Sequence, residues 1–241
     1  SLISEINESK IDEWVYVSDN FLKVAVFSQE TCLATEGSFN ISIGYFVNYY
    51  GFGPTEAANS YDDSKLMKLR DQISCSSYKV DLENKRIKRL SDVYLDMSAV
   101  AKGFGVDELV KYLEYQGYSN LLVEIGGEVR TRGSKPDNKP WRVGIEGPGK
   151  GLGSSLSKVV TLTNMSMATS GSYRNYLKYG DEIFNHTIDP KTGKGAWYVV
   201  GCYKIISYSC ITEIVSASSS CLHYYCNTVR HCGAPILRRG Q

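Results

Sequence analysis

Apolar and polar positions change period several times along this 241-residue chain, and each change predicts an element. The clearest succession runs from Val93 to Gly133. A short apolar run ends at Asp96, and then Val106, Leu109, Val110 and Leu113 recur at helical spacing until Gly117 closes the helix. Asn120 to Ile125 follows as a strand that stops at Gly126 and Gly127, giving strand, helix, strand with glycines where the backbone must approach something closely. Upstream, Leu66, Leu69 and Ile73 predict a helix over Asp62 to Ser74. Tyr78 to Leu90 alternates and predicts a hairpin turning near Glu83 and Asn84. Ile11, Val15, Val17 and Phe21 form a partial apolar face, predicting a short helix around Glu8 to Phe21. Thr35 to Pro54 mixes aromatic and small residues and reads as packed chain ending in a sharp turn at Gly51, Gly53 and Pro54.

Composition narrows the classes. With 42% hydrophobic residues and 27 basic against 26 acidic side chains, the chain is neither disordered nor fibrous. Its net charge of +1 creates no global field to gather nucleic acid or an anionic membrane, so no nucleic-acid partner is expected. No run approaches the roughly 18 consecutive apolar residues of a membrane span. Seven cysteines are an odd number in a chain long enough to bury a core without staples, so a disulfide framework is not expected. Five of them, Cys202, Cys210, Cys221, Cys226 and Cys232, follow residue 195, with no CxxC pair and no common zinc spacing. That terminal stretch is compositionally foreign: its sole acid is Glu213.

Several small-residue clusters could surround a phosphate. Gly126 and Gly127 read first as a tight turn, but Glu128, Arg130 and Arg132 follow them, and Lys102 and Gly103 are expected to open the preceding helix. Thr169, Ser170 and Gly171 supply a second, hydroxyl-rich loop. Backbone N–H groups at a helix start or glycine turn satisfy phosphate oxygens, and lysine adds a compact positive charge. Neither GxGxxG nor a P-loop is present. In HTIDPKTG, His186 stands three positions before Asp189, beside a proline-fixed turn; they read either as an ordinary structural turn or as groups that orient an acidic ligand or move a proton. Trp141 and the run Tyr45, Phe46, Tyr49, Tyr50 and Phe52 read first as core packing, and Arg130, Arg132, Lys135 and Lys139 as solvation of a hairpin.

Eight blocks in order carry a family resemblance: SEIN from Ser4, TEGSFN from Thr35, GFGP from Gly51, DMSAVAKGFGVD from Asp96, EIGGEVRTRG from Glu124, WRVGIEGP from Trp141, MATSGSYRNY from Met167 and HTIDPKTG from His186. Together, over residues 4 to 195, they resemble the ApbE family, the FAD:protein FMN transferases. The resemblance implies an α+β fold of mixed and antiparallel sheets with packed helices and a flavin site between lobes. It also implies FAD binding with a divalent cation, usually Mg²⁺, and transfer of FMN to a threonine or serine hydroxyl of a partner protein, with AMP released. The implied partner is a redox-complex subunit, and the implied location is extracytoplasmic.

Carried over residue by residue, Lys102 and Gly103 fall in the FAD-binding helix-start motif and Asp107 on the adenosine side. Gly126, Gly127 and Glu128 line the flavin nucleotide site, and Thr169, Ser170 and Gly171 form another ligand-contacting loop. His186 and Asp189 match the catalytic block nearest the phosphoryl chemistry, and the Ala99 backbone carbonyl matches one metal contact. Lys102 and the His186 loop are thereby expected to reach the phosphate bridge from two sides. Family members carry a further N-terminal region ahead of SEIN. After HTIDPKTG they carry a block with an aspartate and a nearby threonine or serine that hold the metal, and those ligands have no assigned counterparts here. The expected division is a flavin transferase domain over residues 1–195, beginning after that N-terminal region, and an atypical cysteine-rich tail over 196–241. Two alternatives accompany transfer: FAD hydrolysis to FMN and AMP, and a catalytically incomplete flavin-binding or interaction protein.

Overall fold

Serine hydroxyls start the first two helices. In the computed structural model, which describes residues 1–55, 62–146, 156–170, 176–179, 182–195, 202–206 and 210, Ser1 Oγ accepts the Ser4 N–H at the head of α1 (Leu2–Glu8). Ser18 Oγ accepts the Phe21 N–H at 3.2 Å at the head of α2 (Asp19–Ala34). Between them lies β1 (Val15–Tyr16). The helix expected over Glu8 to Phe21 is therefore absent. Asp12 takes a positive φ of 66°, which leaves the helical path. Val15 and Val17 are buried while Tyr16 between them is 73% exposed, the alternation of a strand.

α3 (Gly44–Tyr49) lies inside the packed stretch before the glycine turn, a helix its aromatic run concealed. α4 (Asp63–Arg70) is capped by Asp62, whose Oδ1 accepts from the Ser64 and Lys65 N–H groups. β2 (Tyr78–Asp81) and β3 (Arg86–Arg89) form the expected hairpin, and β1 joins them in the order β1-β3-β2. Asp81 closes this hairpin by accepting from Asn84 and from Arg86 Nε at 2.8 Å, which pulls its carboxyl down to about 2. A depressed carboxyl stabilises the fold above its ordinary value and loses that contribution as pH falls through about 2. An NMR titration should place the Asp81 midpoint near there; a midpoint in the ordinary carboxylate range would show that the hairpin does not hold in solution.

α5 (Ser98–Tyr115) is closed, as expected, by Gly117, which lies two residues past its end with φ +91°. The remaining strands are β4 (Leu121–Ile125), β5 (Glu128–Arg132), β6 (Trp141–Glu146), β7 (Leu156–Leu162), β8 (Ser166–Ser170), β9 (Tyr176–Tyr179), β10 (Glu182–Asn185) and β11 (Cys202–Ile206). Four of them pair antiparallel in the order β11-β8-β5-β4, while β6–β7 and β9–β10 are separate hairpins. The strand expected just before α5 is reduced to a single bridge between Ile43 and Tyr94. β11 lies in the stretch set apart by composition, yet it pairs with β8 over five residues and contributes an edge to the central sheet.

Two apolar clusters position the site. Ile6, Leu22, Ala25, Ile87, Leu95 and Val100 pack the helices onto the first sheet. Val106 and Val110 of α5 pack against Leu121, Val123 and Cys210, fixing the helix over β4 and β5. Contrary to the cysteine count, Cys32 and Cys75 form a disulfide that ties the end of α2 to the segment after α4. Length removed the need for a staple but did not forbid one. Closing a loop with 43 residues of sequence separation contributes about 4 kcal/mol in the loop-entropy description. Reductant should accordingly lower the calorimetric melting temperature, and an unchanged melting temperature after complete reduction would refute that contribution.

Candidate functional site

The first cluster forms where α5, the β4–β5 turn and β8 meet. Gly126 and Gly127 take φ of +57° and +96°, so the turn closes in a conformation that side chains resist. A Cβ on Gly126 would lie 3.0 Å from Lys102 Cδ, and one on Gly127 3.2 Å from Thr169 Oγ1. The two glycines thus let the lysine stem and the threonine hydroxyl lie directly against the backbone. Glu124 Oε1 accepts the Gly127 N–H at 2.6 Å and fixes the turn from below. Lys102 Nζ donates to Glu128 Oε1 at 3.1 Å and to the Gly126 carbonyl at 3.3 Å. Burial pushes the Glu128 carboxyl above the usual range, opposed by the Lys102 ammonium.

Two expectations about this region change. Lys102 does not open the helix: α5 begins at Ser98, whose N–H is held by Asp96 Oδ1, so Lys102 stands in the second turn and Gly103 on the buried face. Thr169 and Ser170 lie on β8 rather than in a loop, with Thr169 exposed beside Gly127. Gly171 falls outside the described residues. The Ala99 carbonyl sits in the exposed first turn of α5.

Asp107 is committed elsewhere. It is 4% exposed, is paired with Arg130, and both its oxygens accept the Cys210 N–H at 2.9 Å. An adenosine contact would have to be made alongside that pairing. Arg130, read as hairpin solvation, is instead 6% exposed beneath the sheet, and Arg132 pairs with Glu114. Nothing local in the sequence distinguishes Arg130 from Arg132, which share one face of β5; only their partners on α5, Asp107 and Glu114, do so.

The second cluster is the DPKTG turn. Asp189 Oδ1 accepts the Lys191 N–H at 2.9 Å, and Oδ2 accepts the Thr192 hydroxyl at 3.1 Å, so its carboxylate shapes the turn. Gly193 has φ +69°, and a Cβ there would stand 2.8 Å from the Phe46 ring. Tyr50 donates its hydroxyl to the Gly193 carbonyl at 2.9 Å, and Phe52 meets the exposed His186 ring edge-on at 6.2 Å. The aromatic run, expected as core, supplies both core and seat: Phe46, Tyr49 and Tyr50 are buried with Ile188. Behind the turn, a cavity of about 290 Å³ opens between Asn40, Arg70, Cys75, Pro190 and Lys191.

α3 links the two clusters. Its first residue, Gly44, donates to the Tyr94 carbonyl at 2.8 Å, and Asp96 donates to Ile41 at 2.7 Å, immediately before α5 begins. Its far end holds the DPKTG turn. Among the described residues, no three His, Cys, Asp or Glu side chains stand together as a metal-ligand group, and no helix is long and apolar enough to cross a membrane.

The model of the ApbE family matches residues 1–218. The chain belongs to the ApbE family. The match continues past residue 195, through β11 and Cys210. FAD:protein FMN transferase of Haemophilus influenzae is 34% identical over 198 residues, 80% of this chain and 57% of that protein. The Vibrio cholerae enzyme of the same name is 33% identical over 88% of this chain and 63% of its own length. This chain therefore spans about three fifths of the curated relatives it matches. The solved flavin transferase ApbE from Vibrio cholerae superposes with a TM-score of 0.77 at 31% identity, covering 91% of this chain and 69% of that one. The apo flavinyl transferase ApbE of Pseudomonas stutzeri gives 0.78 at 25% identity, covering 90% and 67%. The mixed α/β fold with antiparallel sheets and packed helices is the fold of these ApbE structures.

Proposed function

We propose that this ApbE-family chain transfers FMN from FAD to a threonine or serine hydroxyl of a partner protein, with Mg²⁺ assisting and AMP leaving. One observation carries the reading: a half-exposed lysine ammonium laid across a double-glycine turn, in a chain of this family. In the reaction the acceptor oxygen bonds to the FMN-side phosphorus, the bond from that phosphorus to the bridging oxygen breaks, and the hydroxyl proton departs. Negative charge gathers on the bridging and AMP oxygens, where a fixed cation lowers the barrier.

Lys102 is the cation for those oxygens, while Gly126 and Gly127 allow the phosphates to reach the turn without meeting a side chain. His186, on its turn seated against α3, orients the acceptor or takes its proton. The tie between the two clusters through α3 supports their meeting at the phosphate bridge. Bound Mg²⁺ would supply further charge neutralisation, with the Ala99 carbonyl as one donor. The described side chains form no cage for it, so no step is assigned to the metal. The disulfide supports an extracytoplasmic location, because such bonds persist in oxidising compartments. A redox-complex subunit is the proposed acceptor.

Incubation with FAD, Mg²⁺ and a protein bearing the family's acceptor motif should add the mass of FMN covalently to that protein. AMP release without any acceptor would replace transfer by hydrolysis. FAD binding with neither product would overturn the enzymatic reading in favour of a flavin-binding protein.

A further inference from the structure

Lys102 is assigned above to the substrate's phosphates, yet its ammonium is already engaged. Nζ lies 3.1 Å from Glu128 Oε1 and 3.3 Å from the Gly126 carbonyl. The two partners differ sharply in burial: the Lys102 side chain is 42% exposed and that of Glu128 only 2%. Glu128 Oε2 is buried and accepts no hydrogen bond. The buried carboxylate is thus compensated by a single cation that reaches it from the solvent side and can turn away.

We propose that on FAD binding Lys102 leaves Glu128 for the pyrophosphate and that Glu128 takes up one proton from solvent in the same event. The inference rests on the transferase reading and deepens it, making Glu128 a positioning residue that parks the lysine and releases it against a proton. Once Lys102 turns, the unpaired charge left facing Glu128 is negative. From β4, Glu124 adds negative charge; from β8, the Thr169 backbone N–H favours the ionised carboxyl but brings no charge of its own; along β5, Arg130 is bound to Asp107. The arriving pyrophosphate adds more negative charge. A buried carboxylate with no counter-ion and an unfilled oxygen is lower in energy protonated. Burial already raises this carboxyl while Lys102 is present. Protonation removes the buried charge from Glu128, and the freed ammonium moves to the stronger anion.

Proton uptake makes FAD affinity fall as pH rises through the Glu128 titration, by up to about tenfold per pH unit. Calorimetric titration of the full chain with FAD, at one pH in two buffers of different ionisation enthalpy, measures the uptake directly. Wild type should show buffer-dependent heat corresponding to net uptake. Glu128→Gln should bind FAD with no uptake and a flat pH profile. Lys102→Gln, which has no ammonium to move, should also show none, its Glu128 being neutral beforehand. Equal heats in both buffers for wild type, or uptake persisting in Glu128→Gln, would overturn the inference while leaving the transferase reading intact. Failure of wild type to bind FAD at all would remove that reading and the inference with it.

Discussion

Lys102→Ala is expected to reduce the rate of covalent flavin transfer about 100- to 1,000-fold, the loss typical when one preorganised donor is removed from a transition-state anion. Lys102→Arg should restore only part of it, because a planar guanidinium cannot lie along the Gly126–Gly127 turn as an ammonium on a flexible stem does. The variant should also change stability in a pH-dependent way. Without the lysine, Glu128 is buried with no counter-ion and its carboxyl rises further. Such a group is tolerated at low pH, where it is protonated, and its penalty grows as pH rises through its folded value. Denaturant midpoints at acid and neutral pH separate the two effects. Equal transfer rates for Lys102→Ala and wild type, in a variant folded at both pH values, would remove Lys102 from the chemistry.

Asp107→Ala should cost about 3–5 kcal/mol of folding stability, the largest single-residue effect expected in this chain. Its carboxylate holds Arg130 and the Cys210 N–H beneath the sheet, and Arg130 Nε has no partner even with Asp107 present. Truncation would leave a guanidinium buried at 6% exposure with little to satisfy it. Replacing Arg130 with methionine in the same background should recover part of the loss, since it removes the buried cation that Asp107 no longer compensates. Urea unfolding of the two variants measures the difference. A single variant as stable as wild type would show that the pair is not what holds α5 to β5.

Elements encoded by local signals were legible in the sequence. The helical period of Val106, Leu109, Val110 and Leu113 with its glycine stop, the alternation around Glu83 and Asn84, and the apolar run ending at Gly126 all depend on neighbours within a few residues. α2 escaped because its buried positions, Leu22, Val24, Ala25, Ser28 and Cys32, include small and polar residues that blur the apolar stripe. The Cys32–Cys75 bond and the Asp107–Arg130 pair escaped because each joins residues that only tertiary folding brings together. For the site, ordered motifs and glycine placement pointed to Lys102, Gly126, Gly127, Glu128 and Thr169, which the fold brings together. What those side chains are already bound to was not legible. Asp189 and Glu124 each look like free acids in sequence, yet each fastens a turn.

The strand order β11-β8-β5-β4 carries a consequence for biosynthesis. During translation, β8 emerges with one side open to solvent and stays unpaired there until residues 202–206 arrive some thirty positions later. An unpaired sheet margin recruits other chains, so ribosome stalling or proteolytic clipping between Gly195 and Cys202 would yield molecules that polymerise through β8 rather than merely inactive ones.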